Sequence, residues 1–161
     1  MKRYLAVVVL AALLAPAVFS QEEPAQPMGM IDRALSWIGV RYRFGGQDEK
    51  RGFDCAGLVR RVYATMAVDL PRTAAAQFRV GCSVSRDELQ PGDLVFFRNT
   101  YKRGISHVGI YIGEGRFVHA ASRRRSVVVD LLDTPYYRTR FAGGRHIERP
   151  AELAAPTQSG Y

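Results

Sequence analysis

Gly52-Phe53-Asp54-Cys55-Ala56-Gly57-Leu58-Val59 decides how the rest of this chain is read. Asp54 is a strong helix cap, because its side chain can accept hydrogen bonds from the free amides of a first turn. After it, Leu58, Val59, Val62, Tyr63 and Met66 recur at helical spacing, with Arg60 and Arg61 on the wet side. Cys55 therefore opens an amphipathic helix. The positive end of the helix dipole would lower the pKa of a thiol there, and a nearby imidazolium would lower it further. Asp54 opposes both if it points at the sulfur, so its carboxylate is expected to turn toward the backbone or a substrate amine.

Working outward, Ile31, Ala34, Leu35 and Ile38 predict a first helix ending near Gly39, and 47–51 reads as a surface loop. Pro71-Arg72-Thr73 restarts a short helix with Thr73 as its cap. Beyond it the period changes. Leu94-Val95-Phe96-Phe97 is a buried strand, 99–104 is a loop beside the site, and 107–112 with 116–120 forms a hairpin about Gly113-Glu114-Gly115. Val127-Val128-Val129 and Arg145-His146-Ile147 are further strands. Helices followed by a meandering antiparallel sheet make an α+β fold.

The hairpin places two imidazoles. His107, Gly109 and Tyr111 share one strand face, expected to look at the Cys55 helix, and the aliphatic face opposite is the expected core. A three-residue turn centred on Glu114 sets Gly109 opposite His119 and His107 opposite Ala121. His119 is then a diagonal neighbour of His107, about 7–8 Å away between backbones, with Gly109 leaving room for the ring. A two-residue turn would slip the register and separate the two histidines. In register, Cys55 can attack, His107 can move protons and His119 can orient His107. Zinc on Cys55, His107 and His119 is an alternative, but no Cys-x-x-Cys or acidic fourth ligand accompanies them.

Residues 1–20 read as a signal peptide: Lys2 and Arg3, an apolar run over 5–14, then Val18-Phe19-Ser20 before the cleavage point. The alternative is an uncleaved anchor. Residues 21–28 read as a linker and 150–161 as a flexible tail. Export makes a Cys55–Cys82 disulfide a competing use of the thiol. The 23 basic and 15 acidic residues give +8, which suits polyanionic wall polymers or membrane surfaces. Arg123-Arg124-Arg125 stands without interleaved aromatics, so it reads as a solvated loop and not a nucleic-acid reader.

Six stretches, in order, resemble the NlpC/P60 family of cell-wall cysteine peptidases: Tyr42-Arg43-Phe44-Gly45-Gly46, Phe53 through Val59, Leu70-Pro71-Arg72-Thr73, Pro91 through Phe97, Ser106 through Gly113, and Phe117-Val118-His119-Ala120. The resemblance implies a papain-like α+β fold over 29–149, with N-terminal helices packed on a central antiparallel sheet. It implies Cys55 as nucleophile, His107 as base, His119 as orienting residue and Tyr42 as oxyanion donor. Asp54, Arg72 and Ser106 become candidates for binding peptidoglycan stem peptides, with no cofactor or metal. The expected activity is cleavage of the D-glutamyl–diamino acid bond by an exported monomer in the periplasm or cell wall, with no membrane or nucleic-acid partner. An amidase, a cross-link endopeptidase or a non-catalytic wall-binding protein would keep the same fold. The family usually has serine after the nucleophile, where this chain has Ala56, which bears on substrate preference. A nucleophilic Cys55 also requires Cys82 to be a separate thiol.

Overall fold

The computed structural model describes residues 29–148, so the expected leader, linker and tail lie outside the described residues. Helix α1 spans Met30–Ser36 and is shorter than its apolar spacing predicts. Past it, the amide of Gly39 donates to Val127 O and the amide of Val127 to Val40 O, at 2.9 and 2.8 Å. This pairing draws the chain onto the sheet edge and reverses the local faces. Ile38 is 51% exposed, whereas Trp37 is buried with its ring 5.1 Å from that of Phe53. The expected loop over 47–51 is a small hairpin, β1 (Gln47–Asp48) on β2 (Gly52–Phe53), tightened by Arg51 N donating to Asp48 Oδ1.

Helix α2 (Cys55–Ala64) starts where the sequence places it, with Asp54 as cap accepting from Gly57 N at 2.7 Å. Leu58, Val59 and Val62 are wholly buried, and Met66 lies past the helix end. Each such side chain contributes about 1.5–3 kcal/mol of transfer free energy. The first turn of α2 presses on the loop after Tyr42. A Cβ on Gly57 would lie 2.0 Å from Gly46 O, the same carbonyl that accepts from Asp54 N at 3.0 Å. Only glycine permits that approach. Helix α3 (Ala74–Gln77) is capped by Thr73, as expected.

The sheet comprises β3 (Cys82–Val84), β4 (Leu94–Arg98), β5 (Ile105–Gly113), β6 (Arg116–Ala121), β7 (Ser126–Leu131) and β8 (Phe141–His146). Its order is β3-β8-β4-β5-β6-β7, antiparallel throughout, and α4 (Pro135–Arg138) follows β7. This is the expected α+β arrangement, though the edge strand β3 carries too little apolar pattern to be read from sequence.

The faces of β5 differ from expectation. Val108 and Ile110, with Leu94, Phe96, Val118 and Ala120, pack in one cluster with the α2 stripe. The second cluster, Val95, Phe97, Phe117 and Leu132, lies on the opposite face with Tyr111, Tyr137 and Phe141. His107 and His119 share that second face. The aliphatic side chains cover α2 because helix and sheet must bury their apolar faces against each other.

The turn of the hairpin is also tighter than expected. Glu114 and Gly115 both have positive φ, 53 and 69°, as a two-residue type I′ turn requires. Gly113 pairs with Arg116, but an irregularity before it restores the pairs Tyr111–Phe117 and Ile110–Val118. The bulge thus recovers the register that keeps both histidines on one face.

Candidate active site

Cys55 and His107 line the same lobe of one cleft although they belong to opposite faces of β5, and a bulge lies immediately before His107. Phe97 pairs with His107 but Arg98 pairs with Ile105, which leaves Ser106 as the extra residue. Bulges of this kind re-aim side chains at the end of a strand. Ser106 is buried, and its hydroxyl accepts from Thr100 N at 3.0 Å and lies 2.9 Å from Thr100 Oγ1. It fastens the 99–104 loop and is not among the residues that line the two lobes of the cleft described below.

The Cys55 sulfur sits among the amides of Val108, Ala56 and Cys55 itself. These favour the thiolate, but burial outweighs them and Asp54 adds to it, pushing the thiol up to about 11. The expected lowering is therefore reversed, because the sulfur is almost fully removed from water. Asp54 itself is turned as expected. Its carboxylate accepts from Gly45 N at 3.0 Å and Gly57 N at 2.7 Å, and from Arg72 Nη1 and Nη2 at 3.0 and 2.5 Å.

His107 Nε2 lies 2.8 Å from His119 Nδ1. His119 Nε2 lies 3.1 Å from Asp130 Oδ2. Gly109 leaves the expected space: a Cβ there would stand 2.6 Å from Phe117 Cδ2 and 3.1 Å from His119 Cβ. Asp130 was not singled out from the sequence. It pairs with Phe117, which puts it diagonal to His119 across β6 and β7. The same hairpin reasoning, carried one strand further to the end of Val127-Val128-Val129, would have found it. Tyr137 was missed too; its hydroxyl bonds Asp130, and its ring centroid is 5.4 Å from that of His119.

The charges set the direction of this chain. The His119 contact, with Arg124 at 3.5 Å, holds the Asp130 carboxyl below its ordinary range, so it is ionised. His119 then donates Nε2–H to Asp130 and presents a bare Nδ1. That nitrogen accepts from His107 Nε2–H, which leaves His107 Nδ1 bare and basic. Burial, then the charge of His119, holds His107 well below its ordinary value, and burial also lowers His119. Both rings are neutral in the resting protein. The direct ring-to-ring bond also engages nitrogens that the zinc alternative would need.

Unfolded histidines take up protons near pH ~6.5, while these two resist it until lower pH. Between those values the unfolded chain binds more protons, so stability is full above pH ~6.5 and falls as pH drops through the window. Urea midpoints are expected to decline from about pH 7 to about pH 5, with a shallower slope for His107→Gln. A flat profile would contradict the neutral pair.

The cleft has two lobes that meet at Tyr42, Cys55 and Tyr101. The larger, about 290 Å³, is lined by Asp54, Ala56, Arg72 and Thr73, among others. The smaller, about 40 Å³, holds His107. Exposed Phe44 and Tyr101 meet edge to face at 6.4 Å on the larger lobe. Tyr42 keeps its phenolic proton, because burial and then Cys55 push it up to about 12. Behind Ala56, Gln77 Nε2 donates to Ala56 O and Pro71 O at 3.1 and 2.9 Å, tying α3 to the first turn of α2. Cys82 is an exposed free thiol and Cys55 a buried one, so the two are not joined.

Residues 39–146, which carry every one of these groups, match the NlpC/P60 family. The chain belongs to this family. It is 43% identical over 120 residues to the gamma-DL-glutamyl hydrolase of Bacillus subtilis (strain 168), covering 74% of this chain and 29% of that protein. It is 41% identical over 121 residues to the murein DD-endopeptidase MepS/murein LD-carboxypeptidase of Escherichia coli (strain K12), covering 73% of this chain and 61% of that one. The crystal structure of an NlpC/P60 family protein from Bacillus cereus ATCC 10987 aligns with a TM-score of 0.68 at 35% identity, over 73% of this chain and 38% of that chain. The chain thus spans less than two thirds of the length of these NlpC/P60 relatives.

Proposed function

We propose that this protein is a peptidoglycan peptidase that hydrolyses stem-peptide amide bonds through a Cys55 thiol, with the D-glutamyl–diamino acid bond as its target. The observation that carries the reading is the hydrogen-bonded line from His107 through His119 to Asp130, beginning at the cleft that His107 and Cys55 both line. A wall-binding protein without turnover has no use for a buried imidazole, held by a second histidine and a carboxylate, in the same cleft as a thiol.

The resting pair is neutral, so proton transfer accompanies attack. His107 Nδ1 takes the Cys55 proton as sulfur adds to the scissile carbonyl carbon. The negative oxygen that develops is met by the Tyr42 hydroxyl and the Cys55 amide. Preformed donors of this kind contribute about 2.7–4 kcal/mol each to transition-state stabilisation. His107 then passes its proton to the leaving nitrogen, the C–N bond breaks and a thioester remains. Water attacks that thioester, with His107 taking a proton from it, and returning the proton to sulfur restores the thiol. His119 and Asp130 hold the His107 tautomer throughout.

In the larger lobe, Asp54 and Arg72 form a charge pair next to Ala56 and supply polar groups for a stem peptide. The apolar run behind Lys2 and Arg3 supports export, and the +6 that remains of the +8 once those two residues are removed (21 basic, 15 acidic) supports retention on a polyanionic wall. Digestion of defined muropeptides followed by mass spectrometry tests the reading. Products ending in D-glutamate, with a new diamino-acid amine, are expected. Cleavage at the cross-link alone would replace the proposed bond, and no cleavage of any stem would overturn the peptidase reading.

A further inference from the structure

The arginine run that reads as a solvated loop resolves into three different roles. Arg125 offers its carbonyl to Tyr42 N at 2.7 Å. Arg124 lies 3.5 Å from Asp130. Arg123 is exposed in the same turn and lines the smaller lobe, where it is the one lining residue with a fixed charge. Its guanidinium carbon stands 4.4 Å from the centre of the Tyr136 ring, which also lines that lobe. A ring face restrains a cation without neutralising it. Among the described residues no carboxylate forms an ion pair with Arg123.

The chemistry says which part of a substrate reaches this lobe. His107 must deliver its proton to the departing nitrogen, so the amine fragment lies on the His107 side of Cys55 and the acyl fragment on the Asp54–Arg72 side. We propose that Arg123 is a specificity-determining residue that binds a carboxylate on the departing amine fragment. The protein thereby selects stems whose diamino acid is a dicarboxylate, over stems in which that carboxylate is amidated. The inference rests on the peptidase reading and extends it to the leaving-group side. Guanidinium suits the task because it stays charged and offers paired donors to both carboxylate oxygens.

The test compares two defined stem peptides that differ only in the diamino acid, one carrying free meso-diaminopimelate and the other its amidated form. Wild-type kcat/KM is expected to favour the free carboxylate about tenfold, mainly through KM. Arg123→Gln should lose that preference by raising KM for the carboxylate stem while leaving the amidated stem unchanged. Arg123→Lys should restore part of it. A preference that survives Arg123→Gln, an equal fall on both stems, or no preference in the wild type overturns the proposal. If the wild type cleaves neither stem, the peptidase reading falls by itself. Arg123 is then judged by calorimetric titration of Cys55→Ala with the two free diamino acids. Tighter binding of the dicarboxylate that Arg123→Gln removes upholds the site, and equal binding overturns it.

Discussion

Cys55→Ala is expected to lower muropeptide release from purified sacculi by roughly 10⁴-fold or more if Cys55 is the nucleophile as proposed, because removing the nucleophile of a concerted set costs about as much as removing the whole set. The protein should remain folded. Cys55 is buried on the first turn of α2, Ala is a better helix former, and the lost sulfur leaves only a small void. Circular dichroism should show an unchanged spectrum and a melting temperature within a few degrees of the wild type. Cys82→Ser provides the contrast. Cys82 is exposed on β3, the strand at one edge of the sheet, while His107 and His119 lie on β5 and β6. Its replacement should leave release unchanged. Release by Cys55→Ala within tenfold of wild type, or loss in Cys82→Ser, would remove Cys55 from the chemistry.

The site was legible in the sequence wherever local rules decide position. The cap at Asp54 depends on one side chain and three following amides, so the start of α2 could be placed to the residue. The diagonal contact of His107 with His119 depends on strand periodicity and one turn, and the two rings do meet. Part of that success came by compensation. The expected three-residue turn is a two-residue one, and a bulge that no residue pattern announces restored the register.

What stayed hidden depends on long-range packing. Which face of β5 meets α2 is decided by Val108, Ile110, Val118 and Ala120 filling the space over Leu58 and Val62. A two-sided strand does not declare that choice. His107, on the far face, nevertheless lines the same lobe as Cys55, with the Ser106 bulge immediately before it. Burial of the sulfur is likewise a property of the whole fold, which is why a capped helix start suggested a lowered pKa and the folded thiol has a raised one. Asp130 was hidden for a milder reason: its role appears only when the register is carried across a second strand pair.

Asp130→Asn should be nearly as damaging as loss of the thiol, although it changes one atom and touches no substrate. Arg124 approaches Oδ1 of Asp130 and His119 Nε2 approaches Oδ2. Arginine can only donate, so the asparagine carbonyl must face Arg124 and its NH₂ must face His119. His119 Nε2 then has to accept, and its proton moves to Nδ1. That proton is donated to His107 Nε2, which moves the remaining His107 proton to Nδ1, the nitrogen that should receive the thiol proton. Two tautomers flip and the base is blocked. By analogy with the same substitution in a Ser-His-Asp triad, kcat should fall by roughly 10⁴-fold with KM little changed. Nitrogen-15 spectra of the histidines separate this from a packing defect. The wild type should show His107 and His119 protonated on Nε2, and Asp130→Asn should show both protonated on Nδ1 with the fold intact. A normal kcat, or a lowered kcat with unchanged tautomers, would mean that Asp130 does not set the protonation of the line that ends at Cys55.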